Sequence, residues 1–435
     1  MSAVLRVEPA DGQVDQPRRL YAEGLAPGPA NVRAHLAHPD GSQWHSQARF
    51  AVGADGVLDI DAQPPLAGDW SVCEPLAPVW ALRQTEPPRA PALSDSTEAL
   101  HIELEVVDAA GASARATLTQ RFLAPGVTQR EVREAGLCGT LFLPAGQGPH
   151  PVVVVLNGSG GGTPQRRAAL YAAHGYIGFA LAYFKAPGRP EYLGGMPLEY
   201  FQQALAWVHQ QVRPRAGFVA VAGLSRGGEL ALLLGSRFPA WVSAVIGYVP
   251  SAVVHGTLRA GAPGQPRDAD AWTWQGQALR NVWQGNPQVD WHAFDHPPAP
   301  GAAIRQAPAF VAAQRHAPSV AAARIAVEHI AGPVLLISGS DDGFWPSSDY
   351  SDTIVSELRA AGHRWPVRHV RNEGAGHAIG IPYLPTTDIA RVHPVAGVLI
   401  SGGGTPAANA RANRESWQAV LAFLAEAVQA REAQP

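Results

Sequence analysis

The sequence predicts an α/β fold, in which a mostly parallel sheet carries helices on both faces, preceded by a small all-β immunoglobulin-like sandwich. Two observations lead to this prediction. In the first part of the chain, apolar and polar residues alternate at 32–36 and 102–106, which is typical of half-buried antiparallel strands. Further along, short fully apolar runs such as 151–156 alternate with helical periodicity, as buried parallel strands and their crossover helices require.

The chain has 435 residues, which is more than a single hydrophobic core of ordinary size accommodates. We therefore expect two domains, a sandwich over 1–130 and an α/β domain over 131–435. Turn signals between the alternating segments support the sandwich; they lie at 39–41, 53–56 and 109–111.

The elements of the α/β domain follow from apolar runs and helical spacing. We expect an edge strand at 139–144 and further strands at 151–156, 177–183, 218–222, 244–249, 333–338 and 367–370. We expect helices at 197–211, 350–361 and 413–428.

The pattern breaks at 256–326, a segment rich in proline, glycine and tryptophan. An insertion at this point of the chain would cap the edge of the sheet where the parallel strands end. A surface segment that packs against the domain without capping this edge explains the same composition equally well, and the sequence leaves both interpretations open.

Composition excludes several classes of function. The formal net charge of −3 carries no sign of nucleic-acid binding, and no apolar run is long enough to span a membrane. The sequence contains no metal-binding or cofactor motif. The spacing of Cys73 and Cys138 does not indicate a disulfide, so we expect two free thiols. With no apolar signal segment near Met1, a cytoplasmic location follows by elimination.

The stretch 218–234 is the strongest functional signal. A buried strand stops at Gly223, Ser225 follows, and Gly227 precedes a run of helix formers. A strand that reverses this sharply into a helix strains the backbone of the turn, and flanking glycines remove the side chains that would clash. Gly-x-Ser-x-Gly between a strand and a helix is the nucleophile elbow of α/β-hydrolases, so we expect Ser225 to be a nucleophile.

A serine needs a general base, and in this fold the order along the chain is Ser, Asp or Glu, His. His377 follows the predicted strand at 367–370 in a glycine-flanked loop, and we expect it to be the base. His363 and His369 are rivals, but the first resembles a helix-end histidine and the second lies within a strand.

Two adjacent carboxylates follow the predicted strand at 333–338. We expect Asp342 to orient the histidine, with Asp341 as the alternative, because the spacing barely separates them. The oxyanion hole needs two backbone N–H donors, for which we expect Arg226 at the helix start and either Gly160 or Gly161. Gly160 and Gly161 belong to the glycine-rich segment 158–162, the glycine loop, which lacks the spacing of a phosphate-binding motif. We expect Glu229 either to hold the turn through a charge pair or to face solvent.

These residues resemble a known family, the type I acyl-CoA thioesterases and bile acid-CoA:amino acid N-acyltransferases. The resemblance covers nearly the whole chain, and its most specific parts are the elbow and the histidine loop. It rests on 9–13, 20–25, 74–82, 139–144, 158–162, 180–183, 199–204, 223–230, Asp341 and Asp342 with Trp345, 374–377 and 382–385. The family implies an α/β-hydrolase behind a β-sandwich, and its triad falls on Ser225, Asp342 and His377. The segment 256–326 departs from the family by being longer and richer in tryptophan.

The resemblance implies a small-molecule acyl thioester as substrate and leaves two outcomes for the acyl group, which passes to water or to an amino acid. A serine nucleophile makes an oxygen ester, which reacts less readily with amines than a thioester does, so Ser225 favours hydrolysis. A carboxylesterase or lactone hydrolase and a non-catalytic scaffold are the other hypotheses. If CoA is the carrier, its phosphates need cations; the candidates are Arg166, Arg167, Arg213 and Arg215.

Overall fold

The computed structural model describes residues 2–433, which divide into two compact units. The first comprises residues up to 124 together with 380–389 and 405–417. The second comprises 125–379, 390–404 and the residues from 418 onward. The first boundary therefore falls a few residues before the predicted one at 130, and two later segments belong to the first unit although the sequence analysis assigned them to the second.

The first unit contains two sheets, of three and seven strands. Along its long strands β4 and β9 every second residue is buried and apolar, in agreement with the two-residue pattern of the sequence. Its elements are β1 Val4–Glu8, β2 Asp11–Gln13, β3 Arg19–Glu23, β4 Gly28–Ala37, β5 Gln43–Val52, β6 Leu58–Asp59, β7 Ala67–Gly68, α1 Ala77–Trp80, β8 Arg83–Glu86, β9 Leu100–Val107 and β10 Ser113–Arg121.

The second unit is built on an eight-stranded sheet with helices. Its elements are β11 Thr128–Val132, β12 Gly139–Leu143, β13 Val152–Leu156, α2 Gln165–Ala173, β14 Ile177–Leu181, β15 Met196–Pro197, α3 Leu198–Trp207, β16 Val219–Leu224, α4 Arg226–Arg237, β17 Ala244–Tyr248, β18 Trp272–Trp274, β19 Gln277–Ala278, α5 His292–Asp295, α6 Ala307–Ala313, α7 Ala317–Ala323, β20 Val334–Gly339, α8 Ser347–Ala360, β21 Val367–Asn372, β22 Ala390–Val392 and β23 Leu399–Ser401. The last helix, α9 Pro406–Glu432, is shared: its residues up to 417 belong to the first unit and those from 418 to the second.

The strand order in this sheet is β11-β12-β14-β13-β16-β17-β20-β21, and all pairs from β14 to β21 are parallel. The central strands are buried at every position, because helices cover both faces of a doubly wound sheet. The predicted α/β-hydrolase fold class is confirmed.

The prediction of 139–144 as an edge strand is wrong. In the structure β12 lies between β11 and β14, and β11 is the edge. The physical reason is that β11 is a polar strand with four of its five residues exposed, so it gives no apolar signal. Charged residues on an exposed edge discourage pairing with another chain.

The segment 256–326 contains short elements rather than loop alone. In it β18 pairs with β15 and β19 in a small three-stranded sheet, and Trp272 and Trp283 are buried. Among the described helices, none is long and apolar enough to cross a bilayer. Both cysteines are free thiols, with Cys73 exposed and Cys138 buried.

Candidate active site

Ser225 occupies the sharp turn between β16 and α4. Its φ of 59° and ψ of −119° lie where residues with side chains are rarely found. A Cβ on Gly223 would lie 1.8 Å from Gly227 O, and one on Gly227 would lie 2.5 Å from Asn157 O, so only glycine fits either position. The Ser225 N–H donates to Tyr248 O on the neighbouring strand at 2.8 Å. The backbone is therefore that of a nucleophile elbow, at the edge where the parallel strands end.

At the same edge, His377 and Asp342 form a buried hydrogen-bonded pair. Asp342 follows β20 and His377 follows β21, and the His377 Nδ1 lies 2.9 Å from each carboxylate oxygen of Asp342. The two side chains are 8% and 2% exposed. Because a carboxylate only accepts hydrogen bonds, Nδ1 carries the proton, and a neutral His377 ring has an unprotonated Nε2.

The environment of the two adjacent carboxylates distinguishes them. Asp342 accepts further hydrogen bonds from Phe344 N at 2.9 Å and from Ser347 Oγ at 2.7 Å, which fix its orientation toward His377. Asp341 points away, pairs with Arg305 at 2.7 Å, and is 48% exposed. Burial acts to raise the pKa of Asp341, but the Arg305 guanidinium and the hydrogen bond from the Gly404 N–H together outweigh it and hold the pKa below its usual value. The carboxylate that meets the histidine is that of Asp342.

The two rival histidines are engaged elsewhere. His363 Nε2 lies 3.1 Å from Gly332 O, on the side where β20 begins. His369 lies within β21, with Nε2 at 2.7 Å from Ser338 Oγ and Nδ1 at 2.9 Å from an Asp352 oxygen. Neither imidazole is placed to act on Ser225.

Within the described residues, no hydrogen bond joins His377 Nε2 to Ser225 Oγ; Nε2 is buried and has no partner there. Phe344 stacks on the His377 ring at 4.3 Å and Trp345 meets it edge-on at 5.7 Å. Both aromatic side chains also line a cavity of ≈ 30 Å³ with Ser225. Catalytic hydrogen bonds in unliganded sites are often long and shorten with substrate. The His377 imidazole is thus buried at the edge of the sheet that carries Ser225, and its Nε2 makes no hydrogen bond within the described residues.

The backbone donors near Ser225 differ in whether their N–H groups are free. Arg226 is the first residue of α4, so its N–H has no partner within the helix. The Gly161 N–H already donates to Gly158 O at 3.1 Å. The Gly160 N–H makes no hydrogen bond within 2–433, and its loop passes Ser225 so closely that a Cβ on Gly158 would lie 3.7 Å from Ser225 Oγ. Of the predicted donors, Arg226 and Gly160 are therefore the ones whose N–H groups are not engaged within 2–433.

The four arginines suggested for CoA phosphates are not grouped around Ser225. Arg213 and Arg215 precede β16, whereas Ser225 follows it, so a strand of roughly 20 Å separates them from the nucleophile. Arg166 is buried, and Arg167 packs over the Tyr248 ring at 4.2 Å. The suggestion that these arginines bind the phosphates of CoA stays a prediction.

Comparison with known proteins shows the family. The family described as "BAAT / Acyl-CoA thioester hydrolase C terminal" matches residues 196–264 and 302–430, and "Acyl-CoA thioester hydrolase/BAAT N-terminal region" matches 15–134. Acyl-coenzyme A thioesterase 6 of Mus musculus is 31% identical over 98% of this chain and 96% of its own length. The chain belongs to this thioester hydrolase/BAAT family.

Two further family members show the same extent of similarity. Acyl-coenzyme A thioesterase 1 of Homo sapiens is 30% identical, and the peroxisomal succinyl-coenzyme A thioesterase of Mus musculus is 29% identical; each match covers 98% of this chain and 96% of the relative. The C-terminal family match omits 265–301, which contains the four tryptophans of the atypical segment. On either side of that gap, Thr257 and Phe310 line the cavity beside Ser225.

In this family member a buried polar network lies directly behind the nucleophile, and Glu229 is its centre. Glu229 is fully buried and accepts from Arg226 Nη1 at 3.0 Å, from Trp272 Nε1 at 2.8 Å and from His255 Nδ1 at 3.0 Å. The His255 Nε2 lies 3.2 Å from the Tyr350 hydroxyl on α8. The network therefore ties α4 to the segments that carry β18 and α8.

The charge balance of the network favours an ionised Glu229. Burial acts to raise its pKa, but the guanidinium of Arg226 and the hydrogen bonds from His255 and Trp272 outweigh it, so the pKa lies below its usual value. Burial also lowers the pKa of His255. Of the two alternatives in the sequence analysis, the charge pair is the one present, and no part of Glu229 faces solvent.

We expect Glu229→Ala to lower the free energy of unfolding by about 3–5 kcal/mol, because it leaves the Arg226 guanidinium buried without its carboxylate. Chemical denaturation of both proteins measures the difference. Glu191→Ala, at an exposed glutamate, is the matched control and is expected to change stability by no more than about 0.5 kcal/mol. Equal stability of the two variants would contradict the role assigned to the network.

Sequence reasoning missed several polar residues that line the same cavity: Ser159, Thr257, Arg259, Gln306 and His393. Ser159 belongs to the glycine loop and was passed over in favour of its neighbours. His393 lies outside any motif, between β22 and β23, and only the folded chain brings it to Ser225.

Proposed function

We propose that this protein hydrolyses acyl-CoA thioesters to the free acid and CoA through an acyl ester on Ser225. The observation that carries the proposal is the buried His377–Asp342 pair, whose Nε2 is unused at the edge of the sheet where the elbow holds Ser225. Membership of the thioester hydrolase/BAAT family and the names of its relatives support the substrate class.

In the first step, Ser225 Oγ attacks the thioester carbonyl carbon while His377 Nε2 takes the hydroxyl proton. The carbonyl electrons move onto oxygen, and the N–H groups of Arg226 and Gly160 donate hydrogen bonds to this developing oxyanion, each worth about 3 kcal/mol in such a site. The C–S bond then breaks, the acyl group stays on Ser225, and CoA takes the proton from His377. Asp342 stabilises the imidazolium formed in between.

In the second step, water replaces CoA. His377 removes a proton from the water as it attacks the ester carbonyl, and returns a proton to Ser225 Oγ as the ester bond breaks. The free acid leaves and the serine is restored. Because the acyl group is held as an oxygen ester, water activated by His377 is a better acceptor than an amino acid amine.

The test is a substrate panel on the purified protein. Release of CoA thiol is followed with saturated acyl-CoAs of short, medium and long chain, beside p-nitrophenyl esters of the same acyl groups, with and without glycine or taurine. We expect kcat/KM to be higher for a thioester than for its matched ester, with free acid as product even when the amine is present. Turnover of esters alone would overturn the proposal, and an N-acyl amino acid product would assign transfer instead.

We propose a cytoplasmic location for the enzyme, as the sequence predicts. The relatives include a protein named as peroxisomal and others named as mitochondrial, so the alternatives are specific compartments. Imaging of the full chain with a fluorescent tag at either end tests this, and co-localisation with an organelle marker would contradict it.

A further inference from the structure

A second polar pair, separate from His377 and Asp342, reaches the cavity beside Ser225. The His393 Nε2 lies 3.1 Å from Ser159 Oγ. Both residues line the cavity with Ser225. His393 is 6% exposed, so its ring is held inside the second unit rather than in solvent.

The surrounding backbone fixes the tautomer of His393. The N–H groups of Val395 and Ala396 point at its Nδ1, at 3.3 Å and 3.1 Å, and a nitrogen that accepts hydrogen bonds carries no proton. A neutral ring therefore has its proton on Nε2. That proton is directed at Ser159 Oγ, so His393 is the donor and the Ser159 hydroxyl oxygen is the acceptor.

The same surroundings keep the ring uncharged. Burial, followed by the nearby positive charges of Arg259 and Lys185, lowers the pKa of His393 to about 4. At neutral pH the ring holds one proton, on Nε2, and its other nitrogen is occupied by backbone donors. His393 therefore has no free lone pair with which to replace His377 as a base.

This arrangement decides what Ser159 can do. Because its oxygen accepts from His393, its own O–H proton is left to donate to something else. Ser159 lies in the glycine loop between Gly158, whose backbone approaches Ser225, and Gly160, a candidate oxyanion donor. The glycine loop thus brings a side-chain donor to the cavity that Ser225 also lines, next to the backbone donor of Gly160.

We propose that the Ser159 hydroxyl donates a third hydrogen bond to the oxyanion formed on the Ser225 adduct, with His393 as the positioning residue that aims it. The proposal rests on the proposed function, since the adduct is the acyl intermediate of that reaction. It adds a catalytic residue, Ser159, that touches the reacting oxygen, and a residue, His393, that acts only through it.

The consequence is a specific pattern of kinetic effects. Loss of one oxyanion donor typically costs about 10²–10³-fold in kcat, and a third donor in a site that keeps two is expected to be worth about 10²-fold. The loss falls on kcat, with KM unchanged, because the bond strengthens in the transition state. Removal of the His393 donor lowers kcat less, because the Ser159 hydroxyl remains.

The experiment compares Ser159→Ala, Ser159→Thr, His393→Leu and the double variant Ser159→Ala/His393→Leu with the parent. Two rates are measured, acyl-CoA hydrolysis and the labelling of Ser225 by a fluorophosphonate. In the labelling reaction Ser225 Oγ bonds to phosphorus, fluoride leaves and His377 takes the proton, so it reports on the oxyanion site whatever the natural substrate. Thermal unfolding identifies any variant that has lost its fold, and Ser356→Ala, at an exposed position on α8, is the control.

We expect Ser159→Ala to lower both rates by about 10²-fold and Ser159→Thr, which keeps a hydroxyl, to recover most of the loss. The double variant is expected to be no slower than Ser159→Ala alone, because His393 acts through Ser159. Labelling of Ser159→Ala at the parent rate, a change confined to KM, or additive losses in the double variant would each overturn the proposal. A parent that is labelled but hydrolyses no acyl-CoA would refute the proposed function alone, and the labelling rates would still decide the role of Ser159.

Discussion

Replacement of Ser225 by alanine is expected to lower kcat by about 10⁶-fold while the protein remains folded. The substitution removes only the side-chain hydroxyl group. Gly223, Gly227 and the backbone hydrogen bond to Tyr248 O hold the turn, and the substitution leaves them in place. Thiol release under saturating acyl-CoA measures the rate, and thermal unfolding checks the fold.

Ser356→Ala is the matched control for this variant, since it removes a hydroxyl from an exposed residue on α8. We expect its kcat to equal that of the parent. Residual turnover in Ser225→Ala within tenfold of the parent would exclude the serine as nucleophile and with it the acyl-enzyme route.

The second large effect is expected for Asp342→Asn, which should lower kcat by about 10⁴-fold. The substitution removes the negative charge that stabilises the imidazolium. It also removes one of the two oxygens that accept from His377 Nδ1. The ring proton is then no longer held on Nδ1, and Nε2 is no longer kept unprotonated. The release of CoA thiol under saturating acyl-CoA measures the loss.

The adjacent carboxylate supplies an unusually close control. Asp341→Asn breaks a half-exposed ion pair with Arg305, and an interaction of that kind is worth at most about 1 kcal/mol. We expect its activity to stay near that of the parent. If instead Asp341→Asn lost activity and Asp342→Asn kept it, the assignment made from the hydrogen bonds would be reversed.

Much of this site could be predicted because its parts carry local signals. The elbow is encoded within a few residues, since only glycine tolerates the contacts that Gly223 and Gly227 make. The parallel strands are buried on both faces, so β13, β16 and β20 appear in the sequence as uninterrupted apolar runs. A residue that follows such a strand lies at the functional edge of the sheet.

Other parts could not be predicted, because their partners are distant in sequence. The choice between Asp341 and Asp342 depends on which carboxylate turns inward, which spacing does not report. The role of Glu229 depends on His255 and Trp272, which follow it by 26 and 43 residues. His393 and Ser159 are 234 residues apart, and neither has a local pattern that points to the other.

The central claim is that the acyl group of the substrate is held on Ser225 Oγ between the two steps. The most direct measurement is rapid acid quench of the enzyme during turnover of an acyl-CoA, followed by proteolysis and mass spectrometry of the peptides. The account predicts a mass increase equal to the acyl group on the peptide that contains Ser225, and its absence in Ser225→Ala. An acyl group found instead on Cys138 or another side chain, with turnover intact in Ser225→Ala, would contradict it.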